Sequence, residues 1–215
     1  HKLVDSRRGG WCFEHNLLLG EALRALGFSV QDLAARVLWG RDAAARTPRT
    51  HRLLEVEAEG RQWLVDTGFG GQTPTGILDL ADREPQSTPH ESFLLQAMEG
   101  DLLLQALPTG ANDPGAWRPL YRFDRARHWP VDFEAANFQL ARDPRSHFTT
   151  GLAVALPAQD GRWSLRNREL TWRGLDGQQQ HRVLADVASL HGALRTHFGI
   201  DATGLAGLDE RLEGL

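Results

Sequence analysis

Cysteine is almost absent from this chain of 215 residues, which contains Cys12 and no other cysteine. A single cysteine excludes an intramolecular disulfide, and no group of cysteines and histidines has the spacing of a structural zinc site. We therefore expect neither a disulfide framework nor a bound metal ion. A reducing cytoplasm is the compartment that this cysteine usage predicts.

Long apolar runs and an excess of basic residues are also missing. No apolar stretch approaches the roughly 18 residues of a membrane-spanning helix, and the N-terminus lacks the apolar segment of a signal peptide. Lysine and arginine together number 24 against 28 aspartate and glutamate residues, which gives a formal net charge of -4. This balance argues against nucleic acid and against a membrane as partners.

The pattern of apolar residues predicts an α+β fold with a helix first, a β-rich centre and a closing α/β segment. A first helix is predicted over 13–26, because apolar residues there recur at helical spacing until Gly27. Two strand-like runs, 51–58 and 61–66, flank Glu59-Gly60 and predict a β-hairpin. Further strands are predicted at 92–97, 102–106, 117–123, 148–156, 162–166 and 168–173. Further helices are predicted at 132–141 and 183–198, and loops at 74–91 and 108–117.

Cys12 is the candidate nucleophile. A free cysteine is more often a small buried hydrophobic residue than a reactive group. Cys12, however, opens the predicted first helix, where unpaired backbone N–H groups and the positive end of the helix dipole favour the reactive thiolate. The preceding Gly9-Gly10 pair allows a substrate to approach closely.

His51 and Asp66 are the candidate partners of the thiol. A turn at Glu59-Gly60 sets residues near 51 across from residues near 66–68, so an Asp66 carboxylate can hold the His51 ring in its useful tautomer. His51 can then accept the thiol proton, as in other Cys–His nucleophile systems. The alternative interpretation is that Asp66 only begins the turn at Thr67-Gly68.

Two motifs and a histidine between them point to a known family. The motifs are Arg8-Gly9-Gly10-Trp11-Cys12-Phe13-Glu14 and Val65-Asp66-Thr67-Gly68-Phe69-Gly70. With His51 in place, the chain resembles the arylamine N-acetyltransferase family, which carries both motifs. The resemblance continues through Asn137 and the 143–148 stretch, and it weakens after about residue 175.

The resemblance implies a papain-like Cys-His-Asp triad within three structural parts. Residues 1–28 would be the remnant of an N-terminal helical bundle that carries the nucleophile. Residues 29–145 would form a β-barrel-like domain, and residues 146–215 an α/β lid. Family members have a long helical segment before the cysteine motif, so the resemblance predicts that the helical part is truncated here.

The resemblance also implies roles and substrates. Cys12 is the nucleophile, His51 the base and Asp66 the orienting acid, while Phe69 lines the acceptor pocket. Three further residues border the acetyl-coenzyme A cleft: Trp39, Thr50 and Gly70. The implied reaction, a step of xenobiotic metabolism, is ping-pong transfer of acetyl from acetyl-CoA, a co-substrate, to arylamines, arylhydrazines or N-hydroxyarylamines. The plainer interpretation of Phe69 and of the three cleft residues is ordinary packing.

Other functions fit the same residue types. A related amide synthase would use the same triad to close a large acyl substrate, and a papain-like or transglutaminase-like hydrolase would differ in what attacks the acyl-enzyme. A catalytically silent homologue would bind an acyl-CoA or an aromatic amine without reaction. The sequence leaves the preferred amine, the acyl donor and the oligomeric state open.

Overall fold

A computed structural model describes residues 1–109 and 114–215, so the predicted loop 108–117 lies partly outside the described residues. Internal contacts divide the chain into two units. One unit is Trp11–Gln139, and the other combines His1–Gly10 with Leu140–Leu215. The three-part division at residues 28 and 145 stays a prediction. In the two described ranges, every helix falls short of the length and apolar character that crossing a membrane requires.

The first helix, α1, spans Cys12–Ala25, close to the predicted 13–26. It begins where the Glu14 carboxylate accepts a hydrogen bond from the backbone N–H of Trp11 at 3.2 Å, which satisfies a donor at the helix start. It ends before Gly27, whose φ of +90° is the left-handed conformation that closes many helices. The buried face of α1 is short and combines apolar and polar residues. Its buried residues are Cys12, Phe13, Asn16 and Gly20.

Eight antiparallel strands form the sheet of the same unit, in the order β4-β3-β2-β1-β8-β7-β6-β5. They are β1 (Ser29–Val37), β2 (Arg49–Ala58), β3 (Arg61–Val65), β4 (Leu78–Asp79), β5 (Gln86–Ser87), β6 (Ser92–Met98), β7 (Asp101–Leu107) and β8 (Arg118–Phe123). The short strands β4 and β5 lie in the stretch 74–91 that was predicted to be loop throughout.

The hairpin of β2 and β3 has the predicted turn. Glu59 and Gly60 have φ values of +55° and +71°, the pair of positive angles that a type I′ turn requires. The turn pairs Ala58 with Arg61 and fixes the register of both strands. A second turn of this kind joins β6 to β7 at Glu99 and Gly100.

The two end strands of the sheet are joined by one side chain. The Gln86 amide accepts a hydrogen bond from the Asp79 N–H at 2.7 Å and donates one to the Asp79 carbonyl at 3.0 Å. Gln86 thereby links β5 to β4, and the eight-stranded sheet is nearly closed into a barrel. Its apolar interior draws on seven of the eight strands. The interior includes Leu33, Leu53, Leu64, Leu78, Phe93, Leu104, Leu120, Tyr121 and Phe123.

The second unit has its own sheet and core. Its antiparallel strands are β9 (Ala153–Ala158), β10 (Gly161–Arg166), β11 (Glu169–Gly174) and β12 (Gln179–Val183). The remaining helices along the chain are α2 (Glu134–Arg142), α3 (His147–Thr150), α4 (Val187–Phe198) and α5 (Leu208–Glu213), with short 3-10 turns at Pro114–Ala116 and Pro130–Phe133. Apolar residues of α4 and α5 pack with Leu165 and Leu170 of the strands. The fold is α+β, as the sequence predicted.

Two predicted boundaries in this unit are wrong, and each error has a local cause. The strand predicted at 148–156 begins only at Ala153, because Ser146 accepts a hydrogen bond from the Phe148 N–H and caps α3. The helix predicted from residue 183 begins at Val187, because the Asp186 carboxylate caps it by accepting from the Ser189 N–H at 2.7 Å. Both caps satisfy backbone N–H groups of the first helical turn, which have no carbonyl partner within the helix.

Candidate active site

Cys12 occupies the first position of α1 and is buried, with 8% of its surface exposed. Its sulfur lies 3.8 Å from the carbonyl oxygen of Thr50 in β2. Since His51 is the next residue of β2, this contact sets the start of α1 directly against the strand that carries the histidine. The thiol therefore faces the hairpin, where the other two candidate residues lie.

His51 and Asp66 form a buried pair. The His51 Nε2 atom lies 2.7 Å from Asp66 Oδ2, and the two residues are 3% and 2% exposed. With Nε2 directed at the carboxylate, Nδ1 is the ring nitrogen left to interact with the Cys12 side chain, which contributes to the raised pKa of His51. The structure thus brings the three predicted residues together in the order thiol, imidazole, carboxylate.

The charge on His51 follows from its surroundings. Burial alone would lower the pKa of His51, but the Asp66 carboxylate and the Cys12 side chain outweigh burial and raise that pKa from 6.5 to about 10. The ring is therefore protonated at neutral pH. A protonated imidazole beside the sulfur can stabilise negative charge that develops on that atom.

Asp66 is held ionised by several donors at once. Burial would raise its pKa, but the charge and hydrogen bond of His51, and hydrogen bonds from Asn16 and Gly68, lower it. The Gly68 N–H donates to Asp66 Oδ1 at 2.9 Å, two residues along the chain. Asp66 therefore also orders the turn at Thr67-Gly68, because one carboxylate oxygen accepts from the Gly68 N–H while the other faces the imidazole.

Asn16 is a site residue that sequence reasoning missed. It is fully buried, and its Nδ2 donates to Asp66 Oδ1 at 2.9 Å and to the Arg52 carbonyl at 2.6 Å. Its Oδ1 accepts from the Thr67 N–H at 3.0 Å. Asn16 lies four residues after Cys12, so the two share a helix face, and that spacing is the signal that could have found it.

Gly68 permits the close contact between the turn and α1. A Cβ atom at this position would lie 2.6 Å from the Cys12 Cα and 3.1 Å from the Asn16 Nδ2. Real Cβ atoms essentially never approach backbone so closely. Only glycine therefore lets the Asp66 turn pack against the residue that carries the thiol.

Two aromatic rings enclose the imidazole. The centroids of Phe69 and Tyr121 lie 5.1 Å and 5.0 Å from that of His51, and 5.0 Å from each other. Burial, and then the charge of Asp66, raise the pKa of Tyr121 well above its ordinary value. The Tyr121 hydroxyl has no partner in good hydrogen-bond geometry among the described residues, so its interaction with Asp66 is electrostatic. Tyr121 was not predicted from the sequence.

Of the three residues predicted to border the acetyl-CoA cleft, one contacts Cys12 and two do not. Thr50 contacts the Cys12 sulfur through its carbonyl, whereas Trp39 is 52% exposed after β1, and Gly70 is exposed with a φ of +82°. Within residues 1–109 and 114–215, neither Trp39 nor Gly70 has a hydrogen bond or ring contact with the triad. In the same ranges, no three histidine, cysteine or acidic side chains are grouped as metal ligands would be.

Comparisons with known proteins identify the family to which the chain belongs. A family model described as N-acetyltransferase matches residues 1–205. The arylamine N-acetyltransferase of Mycolicibacterium smegmatis is 41% identical over 211 residues, which cover 97% of this chain and 74% of the relative. That of Escherichia coli K12 is 39% identical over 93% of this chain and 69% of the relative. The Mycobacterium marinum arylamine N-acetyltransferase structure in complex with CoA superposes with a TM-score of 0.91, at 37% identity, over 99% of this chain and 78% of that one.

The family model places this chain, which has a cysteine at a helix start beside a buried histidine and aspartate, in the class of N-acetyltransferases. Within that class, the relatives named above share more than a third of its residues across nearly the whole chain. The chain belongs to the arylamine N-acetyltransferase family, as the two sequence motifs predicted.

Proposed function

We propose that the protein transfers an acetyl group from acetyl-CoA to an arylamine through a thioester on Cys12. The observation that carries this proposal is the buried arrangement of Cys12, His51 and Asp66, with Nε2 of the histidine 2.7 Å from the carboxylate. Membership of the family supports the same reaction, and a family relative from M. marinum has been solved with CoA bound.

In the first half of the reaction, the Cys12 thiolate attacks the carbonyl carbon of acetyl-CoA. A new carbon–sulfur bond forms on Cys12 and the bond to the CoA sulfur breaks. The His51 imidazolium gives its proton to the departing thiolate, so CoA leaves as a thiol. Asp66 stabilises the imidazolium and keeps the ring oriented throughout.

In the second half, the amine attacks the acetyl-thioester. The nitrogen–carbon bond forms, the bond to Cys12 breaks, and the amine gives a proton to the neutral His51 ring. The thiolate–imidazolium pair is thereby restored. Arylhydrazines and N-hydroxyarylamines are further acceptors in this proposal, and the Salmonella typhimurium relative is named as an N-hydroxyarylamine O-acetyltransferase as well.

Phe69 is proposed as a wall of the acceptor pocket, because its ring packs against the imidazole at 5.1 Å and offers a flat apolar surface to an aromatic amine. Three residues are proposed to border the acetyl-CoA cleft: Trp39, Thr50 and Gly70. The exposure of Trp39 suits stacking on a co-substrate base. The cytoplasm is the proposed compartment, because a reactive single thiol needs a reducing environment.

The test is to expose the protein to acetyl-CoA without an amine. We expect intact-mass analysis to find one added acetyl group, located on Cys12, with release of roughly one equivalent of free CoA thiol per active site before slow hydrolysis. With both substrates varied, double-reciprocal plots should be parallel. Intersecting lines without an acetylated protein would overturn the covalent mechanism, and fast hydrolysis that ignores added amine would identify a hydrolase instead.

A further inference from the structure

Two buried charged residues and one partly exposed arginine form an ion network that the proposed reaction does not use. Asp32 in β1 and Arg52 in β2 are 5% and 3% exposed. Arg52 Nε donates to Asp32 Oδ1 at 2.9 Å, while its Nη2, 2.7 Å from the same oxygen, makes an ion-pair contact without hydrogen-bond geometry. Arg24 of α1 donates to Asp32 Oδ2 at 2.6 Å. One carboxylate thus holds a guanidinium from a helix and another from a strand.

Stability alone does not explain such a network. Moving guanidinium groups and a carboxylate out of water has a large desolvation free energy. A protein with well-packed apolar residues of similar volume in their place is therefore often as stable as one with the ion pairs. The ion pairs do, however, constrain the relative orientation of the elements that carry them, because the planar guanidinium and carboxylate groups pair in a defined geometry. The network therefore specifies how α1 lies on β1 and β2.

The network connects with the active site through Arg52. The Arg52 carbonyl accepts from Asn16 at 2.6 Å, near the N-terminal end of α1. Its guanidinium reaches Asp32, which holds Arg24 two turns further along the helix, about 12 Å away. The contacts of α1 through Asn16 and through Arg24 thus both lead to Arg52, the residue that follows His51 in β2.

A second path leads from Arg52 to the residue beside the thiol. The Arg52 guanidinium lies over the Phe133 ring, 4.8 Å from its centroid. Phe133 packs edge-on against Phe13, with the centroids 6.1 Å apart. Phe13 is the neighbour of Cys12 in α1, so displacing the guanidinium would disturb the first turn of the helix directly.

We propose that Asp32 is a positioning residue, which pairs with Arg24 and Arg52 to hold α1 on β2 so that the Cys12 sulfur faces His51. Asp32 touches neither reactant and acts only through this geometry. The inference rests on the proposed function in taking the Cys12–His51 pair as the reactive centre.

The experiment compares Asp32→Asn with Asp79→Asn. Asp79 is buried to the same 5%, pairs with one arginine, Arg61, and lies in β4 rather than against α1. Because Cys12 is the only cysteine, the rate of iodoacetamide alkylation, measured from pH 5 to 9, reports that thiolate alone. Both variants should melt at lower temperature than the unsubstituted protein.

We expect Asp32→Asn to slow alkylation at neutral pH by about tenfold or more and to move the rise of the pH profile upward, since small displacements of reacting groups have large effects on rate. Asp79→Asn should keep the original profile, and Asp32→Glu should recover part of it. If Asp32→Asn lowers the melting temperature yet keeps the original alkylation profile, the network is only structural and the proposal is wrong.

Two further measurements keep the test decisive. If Asp32→Asn does not fold, Arg24→Met removes the helix anchor alone at a side chain that is 32% exposed, and the same shift in smaller size is expected. An unchanged profile in Arg24→Met would then overturn the proposal. Alkylation needs neither acetyl-CoA nor an amine, so a protein that alkylates rapidly but never becomes acetylated would refute the proposed function while leaving this test valid.

Discussion

Replacing Gly68 with alanine should damage the active site more than the fold. The new Cβ would lie 2.6 Å from the Cys12 Cα and 3.3 Å from the Cys12 Cβ, whereas ordinary contacts begin near 3.4 Å. The obstacle is backbone, so the turn and α1 must separate by about 1 Å. Such overpacking costs roughly 1–3 kcal/mol of unfolding free energy.

The effect on rate follows from the same displacement. A shift of about 1 Å between reacting groups lowers rates by about 100-fold, which corresponds to about 2.7 kcal/mol of activation free energy. The Gly68→Ala variant should therefore alkylate and acetylate Cys12 about 100-fold more slowly. Its melting temperature should fall by roughly 3–9 °C.

Gly71→Ala is the matched control for this substitution. A Cβ at Gly71 meets nothing within 4 Å, and its φ lies outside the left-handed region. This variant should keep the rate and the melting temperature of the unsubstituted protein. If Gly68→Ala behaves like Gly71→Ala in both measurements, the close packing of the turn on Cys12 does not position the thiol.

Three other predictions concern the triad itself. Cys12→Ser should abolish acetyl transfer, measured as acetylated arylamine, with little change in melting temperature, because a hydroxyl is a far weaker nucleophile there; residual transfer above a few per cent would exclude Cys12 as the nucleophile. Asp66→Asn should lower kcat by roughly 10³-fold or more, because an amide can select the unproductive tautomer, and wild-type kinetics would leave Asp66 as a turn residue only. The raised pKa of His51 stabilises the fold fully below pH 6.5, and this contribution is lost as pH rises towards about 10. Between pH 7 and pH 9.5, the unfolding free energy measured with urea should therefore fall by about 3 kcal/mol more in the unsubstituted protein than in Asp66→Asn. Equal decreases in the two proteins would show that Asp66 does not set the pKa of His51.

The hairpin that carries two triad residues could be predicted because its cause is local. Glu59-Gly60 permits a two-residue turn, and such a turn fixes the register of both strands. The register pairs Leu54 with Val65, so Asp66 reaches His51 along a diagonal rather than directly across. The sequence therefore predicted that His51 and Asp66 lie close together, but it did not predict their diagonal arrangement.

The remaining site residues depend on contacts between distant segments. Tyr121 reaches His51 only because β8 pairs with β1, and no local pattern specifies that pairing. Asn16 contacts Asp66 only because α1 lies on β2, an arrangement set by tertiary packing. Strand β12 was missed for a different reason, since all its residues are exposed and show no alternation of apolar and polar character.

The Gln86 amide has a consequence for the association of one molecule with another. The open edge of a sheet presents unpaired N–H and C=O groups, which can recruit a strand from another chain and begin aggregation. At Asp79 both groups are already occupied by one side-chain amide that imitates the backbone of a neighbouring strand. Deamidation of Gln86 to glutamate would remove the donor to the Asp79 carbonyl, so slow chemical ageing of this half-buried amide would free that carbonyl for strand addition in an otherwise intact fold.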